Sequence, residues 1–363
     1  MRTNRTIARA IWSLLAAAGL VVLIAAVPQA RSRLTAWSSD GEAAGGLAAE
    51  AVAFPGGEAG IGFDDLRFLP SLGRVLVPAG RSGNLDLVDP STGQVEAIGG
   101  FSSQARYSGG HGEGMTSADF GRGFIFAVDR TARKLVVVDA ATHAALAQAK
   151  LASSPDYVRW VEPIGEVWVT QPDQERIEVF ALPAAGMPAP VHTAFIPVVG
   201  GPESLVVDVA RHRAYTHLWR GATVAVDLAK RAVIAEWPNR CRGSRGIALD
   251  AARGFLFVGC TEGKAVVLDV AHDGAVRDAL RAGDGVDVID YSSALAHLYL
   301  PGGDSGTMAI IGVSSGGALS LLGSVKTAPS AHCVAADDRR QAWLCDPEHG
   351  RLLRVRDPYP RAQ

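Results

Sequence analysis

Seven residues with polar side chains, Asp64, Glu113, Asp156, Glu203, Arg245, Asp287 and His332, recur at intervals of 42 to 49 residues. Two positions after each stands an apolar residue: Leu66, Met115, Val158, Leu205, Ile247, Ile289 and Val334. A fold that gathers the seven into one ring brings five carboxylates together with one guanidinium and one imidazole. Two like charges ~8 Å apart at an effective dielectric of ~20 repel by about 2 kcal/mol, so such a ring needs protonation, solvent or a bound cation. One chemistry it suits is a hard divalent cation of the calcium type, with Asp156, Glu203 and Asp287 as ligands. Another is a pocket for a cationic or polar ligand. The structural alternative is a hydrated surface, where polar side chains cost little.

A second group stands close by in the chain. His111, His217, His297 and His332 fall near the starts and ends of predicted strands, and His with carboxylates serves in acid/base and metal chemistry. Trp219 beside Arg220, on a predicted turn, offers two planar contact surfaces to a ligand. No HExxH, no close pair of histidines and no nucleophile elbow ties these residues to a named mechanism. Single histidines in such places are more often structural than catalytic.

The elements that must position these residues come from a repeat. Each copy is an apolar strand, a short polar turn, a second apolar strand, a Gly-rich turn, and a third strand that often ends in Asp. Eleven places after each of the seven polar residues stand Val75, Phe124, Val167, Ala214, Leu256, Leu298 and Trp343, all apolar and reached without a gap. The apolar runs are short, β-branched and bounded by Gly, Pro and Asp, which excludes helical repeats of similar length. A period in the forties with several strands per unit predicts an all-β, seven-bladed β-propeller with four-stranded blades. In that fold the first strand of each blade lines the central channel, so the seven polar residues would ring one channel mouth. The last unit has only three strands before Asp357-Pro358-Tyr359-Pro360. Residues 48–54, strand-like and otherwise unassigned, are expected to complete it, which removes an open sheet edge. Asp89, Asp139, Asp227 and Asp269 end third strands and are read as turn acceptors.

The repeat resembles the YVTN-repeat, or YncE-like, family of bacterial seven-bladed propellers. The resemblance rests on Ile247-Ala248-Leu249-Asp250 with Phe255-Leu256-Phe257-Val258, and on Leu135-Val136-Val137-Val138-Asp139, and extends over roughly residues 50–360. It implies the fold more firmly than an activity, since such propellers act as binding modules, as lactonases and as subunits of periplasmic oxidoreductases. The leading expectation is an exported module that binds a protein or small polar ligand across the channel mouth. The alternatives are a lactonase-type hydrolase using the carboxylate and His ring, and a propeller subunit of a periplasmic oxidoreductase.

Composition bounds the rest. Hydrophobic residues make up 48% and charged ones 20%, enough apolar material for a large core. The formal charge of −2 argues against nucleic acid, which demands clustered Lys and Arg. Arg2, Arg5 and Arg9 precede the uncharged run 10–27, so residues 1–30 read as a signal peptide or an uncleaved membrane anchor. Residues 31–47 read as a flexible tether, 48–360 as the propeller and 361–363 as a tail. Both fates of the leader predict a periplasmic or secreted domain, touching the membrane only through the N-terminal segment if that is retained.

Cys241, Cys260, Cys333 and Cys345 agree with an oxidising compartment. A turn centred near Arg339 sets Cys333 opposite Cys345, and a non-hydrogen-bonded pair there would lie ~4.5 Å apart, within disulfide range. A looser, diagonal bond is expected between Cys241 and Cys260.

Overall fold

The computed structural model describes residues 47–363, and the leader and most of the tether lie outside the described residues. Seven four-stranded antiparallel sheets are arranged as blades of a ring, with almost no helix. The chain is a seven-bladed β-propeller. Six blades are built in chain order, from Arg67–Leu69, Arg74–Pro78, Leu85–Val88 and Val95–Ile98 in blade one to the blade ending at Leu319–Lys326. The seventh combines Val334–Ala336, Gln341–Asp346 and Arg351–Arg356 with the first strand of the domain, Ala49–Ala53. That strand pairs antiparallel with Arg351–Arg356, from Ala49 opposite Val355 to Ala53 opposite Arg351, as the three-stranded last repeat requires.

Apolar residues on alternating positions of each sheet pack against those of the next blade rather than into one central core. Trp168, Ile177, Val179 and Ile196 of blade three meet Leu205, Ala214, Val224 and Val226 of blade four. Across the closure, Trp343 and Leu352 of blade seven pack with Val75, Val77 and Val88 of blade one. The ring is therefore shut both by strand pairing and by a continuous apolar interface.

Aspartates organise the turns as the sequence suggests. Asp139 accepts from the backbone N–H groups of Ala141 and Thr142 at 3.0 and 2.7 Å, and Asp227 from Lys230 at 2.8 Å. The C-terminal residues do not hang free as a tail. Ala362 donates its N–H to the Leu295 carbonyl at 2.9 Å, and buried Asp357 accepts from Tyr299 Oη at 2.7 Å and faces His297 Nδ1 at 2.7 Å.

The cysteines divide. Cys241 and Cys260 form a disulfide with Cα atoms 5.3 Å apart. The loop folds back because buried Asn239 accepts the Cys241 N–H through Oδ1 at 3.1 Å and also meets Ser244 Oγ. Cys333 and Cys345 are opposed, but they are free and buried, which corrects the expected bond. Asp337 N–H donates to the Gln341 carbonyl at 2.9 Å and Cys345 N–H to the Cys333 carbonyl at 3.1 Å. Opposed residues along this hairpin at every second step are thus hydrogen-bonded pairs, not the non-hydrogen-bonded pair expected at Cys333 and Cys345.

Candidate functional site: the channel mouth

The first strands converge on the channel, and their leading residues meet at one end of it. His111, from the loop before blade two, stands at the centre of the cluster. Its Nδ1 lies 2.9 Å from Asp64 Oδ2, its Nε2 lies 3.4 Å from Asp287 Oδ2, and its ring stacks on that of His332 with centroids 5.1 Å apart. The negative charge of Asp64 is the largest influence on this imidazole and, against burial, raises its pKa to about 9.

Arg130 occupies the next position round the mouth. It pairs with Asp156, lies 3.8 Å from Asp64 and donates from Nε to the Pro155 carbonyl at 2.8 Å. Burial raises the Asp156 carboxyl to about 6 even though Arg130 opposes it. Glu203 accepts from Trp219 Nε1 at 2.6 Å and lies 3.2 Å from Arg245 Nη1. Burial, reinforced by Asp156 and opposed by Arg245, raises Glu203 to about 8.

Between these side chains lies a cavity of about 560 Å³, lined by His111, Arg130, Asp156, Glu203, Trp219, Arg245 and Asp287 together with Ser154, Pro155, Pro172 and Asp173. Trp219 is 38% exposed at its edge. Asp65, Ser117 and Arg159, from the same end of three blades' first strands, form a buried polar network. Arg159 makes a two-pronged pair with Asp65, at 2.6 and 2.9 Å, and donates to the Leu205 carbonyl at 2.9 Å. Ser117 Oγ donates to Asp65 at 2.5 Å.

Six of the seven predicted ring residues, Asp64, Asp156, Glu203, Arg245, Asp287 and His332, are therefore at the mouth. Glu113 makes no hydrogen bond or ion pair with the others. It does not line the cavity, and Gly114 beside it takes φ +68°. The expected calcium trio is not formed. Among the described residues the oxygens of Asp156, Glu203 and Asp287 do not gather as a ligand set, because Arg130, Arg245 and His111 respectively face them instead.

Of the second group, His111, His332 and Trp219 belong to the site. His217 is fully buried within blade four, with Nδ1 2.9 Å from Thr223 Oγ1 and Nε2 3.1 Å from the Gly246 carbonyl. Burial lowers its pKa to about 3, so it is a neutral structural group. Arg220 is exposed and does not line the cavity. Sequence reasoning missed Arg130 as a mouth residue, because it lies outside the column of repeated polar positions.

No protein-family profile and no curated protein matches the chain. Solved structures share its fold at low identity. The hydrazine synthase of Kuenenia stuttgartiensis superposes with a TM-score of 0.66 at 12% identity, over 82% of this chain and 96% of that one. A streptogramin B lyase gives 0.66 at 10% identity, over 85% and 97%. A chain of a mitotic checkpoint complex gives 0.65 at 13% identity, over 90% and 99%. These likenesses establish the propeller architecture and nothing finer.

Proposed function

We propose that this protein is an exported propeller, akin to the YVTN-repeat group, that binds a small polar molecule in the channel mouth. The observation that carries the reading is the 560 Å³ cavity, whose walls hold Arg130, Arg245, His111, Asp156, Glu203 and Asp287 with Trp219 at the edge. Such a wall supplies donors and acceptors on opposite sides and one flat apolar surface, the usual composition of a site that orients a small ligand. The Cys241–Cys260 bond supports placement in an oxidising compartment, as does the charge pattern of the leader. Peptide mapping of the N-terminus of protein recovered from the periplasm tests the export.

Calorimetric screening of amino acids, lactones and small sugars against the full chain, with Arg245→Met and Trp219→Ala beside it, tests the binding. Loss of a charge-assisted hydrogen bond is worth about 1.5–3 kcal/mol, so a true ligand should weaken roughly 10- to 150-fold in Arg245→Met. Ligands whose affinity ignores both substitutions would sink the reading.

A second reading, a lactonase-type hydrolase or related lyase, is favoured by one feature. His111 is oriented by carboxylates on both ring nitrogens, the arrangement of a positioned acid or base. That a streptogramin B lyase has this fold makes lactones sensible members of the screen.

A further inference from the structure

His332 and Cys333 lead into the first strand of blade seven, and Cys345 closes the second strand opposite them. One ring nitrogen and two sulfurs from these residues all lie within 4.8 Å of one another. His332 Nδ1 is 3.8 Å from Cys345 Sγ. Tetrahedral zinc holds thiolate sulfur at ~2.3 Å and imidazole nitrogen at ~2.0 Å, so its ligand atoms stand ~3.5–3.8 Å apart and the three need only close slightly. We propose that His332, Cys333 and Cys345 bind one zinc-class divalent cation beside the channel mouth, leaving a fourth position for water or Asp287.

Two further features fit this chemistry. The Cys333 backbone N–H points at Cys345 Sγ at 3.1 Å, the kind of outer contact that stabilises a metal-bound thiolate. His332 Nε2 faces the Phe63 carbonyl at 3.1 Å, an outer contact that would hold Nε2 as the N–H while Nδ1 binds the metal. Nδ1 also lies 2.7 Å from the Ser330 carbonyl, and that contact would be exchanged for the metal. Binding releases the protons carried by Nδ1 and by the thiols.

The neighbourhood explains the fourth position. Val288 N–H donates to the His332 carbonyl at 3.0 Å, tying the Asp287 segment to the ligand segment. Ligand atoms of His111, Asp287 and His332 also fall within 4.8 Å of one another. The site stands apart from the small-ligand reading, because a cation can bind here whether or not the cavity takes an organic molecule.

The test uses the full chain, purified with reductant and stripped of metal, and titrated first with cobalt. One equivalent should bind and produce a thiolate-to-cobalt charge-transfer band that one equivalent of zinc abolishes. Cys345→Ser should lose the band and weaken zinc at least 100-fold in a chelator competition. Glu113→Gln, outside the cluster, should change neither. Absence of the band in fully reduced wild-type protein overturns the proposal without recourse to any variant. So does zinc affinity unchanged in folded Cys345→Ser, or a Cys333–Cys345 disulfide that reforms in the presence of excess zinc.

Discussion

Asp86 lies in the third strand of blade one, opposite Val77 on one side and Ala97 on the other, fully buried, and neither carboxyl oxygen has a hydrogen-bond partner. Burial alone raises its pKa from 3.8 to about 7. A carboxyl raised in the folded state binds protons that the unfolded chain has already lost. Its penalty is therefore absent below pH 3.8, grows through the interval to about pH 7, and stays constant above it. A shift of about 3 units at ~1.4 kcal/mol each gives an upper limit of about 4 kcal/mol lost between acid and mildly alkaline pH. Asp86→Asn keeps the shape and removes the titration. Urea unfolding of the two proteins from about pH 4 to pH 8 should show curves that diverge by about 1.4 kcal/mol per pH unit up to neutrality, with the variant gaining. An unpaired amide costs about 1–3 kcal/mol, which offsets the variant's curve without tilting it. Parallel curves across that range would refute the reasoning, since they would mean Asp86 meets water or a partner in solution.

Other consequences can be checked in the same laboratory. Replacing Cys241 and Cys260 by Ala opens a bond with a sequence separation of 19 and should cost about 3 kcal/mol in the chain-entropy treatment, read by denaturant unfolding. Arg159→Met strands the buried Asp65 carboxylate and should destabilise by about 3–5 kcal/mol, whereas the double variant with Asp65→Leu should recover most of that loss. Deleting residues 49–53 exposes the edge of Arg351–Arg356 and should lower the unfolding midpoint and promote aggregation seen by light scattering.

The propeller was legible because the same constraint is written seven times. Any one of Leu66, Met115 or Val158 says little, but a column of apolar residues at fixed offset from a polar one reports a strand that must face both a blade interface and a channel. Ring closure was legible for a similar reason, since the outer edge of Arg351–Arg356 had no partner until residues 49–53 were assigned to it. The site was only half legible. Periodicity identifies Asp64, Asp156, Glu203, Arg245, Asp287 and His332 as neighbours, yet it carries no information on which cation sits against which carboxylate. Arg130 reaches Asp156 from a turn of another blade, and His111 lies in a loop outside the repeat. Glu113 shares the column's spacing and yet does not line the cavity. The Cys333–Cys345 register differs on a finer point. The turn fixes which residues are opposed, but the class of each pair depends on whether Asp337 and Gln341 bond through their backbones, and they do, so the two free cysteines form a hydrogen-bonded pair.

The most direct test of the central claim is a crystal structure of the full propeller with the tightest ligand from the screen. The account predicts that ligand inside the mouth, within hydrogen-bond distance of Arg245 or Glu203 and against the face of Trp219. A ligand bound on an outer strand or between blades, with the mouth holding only water, would contradict it.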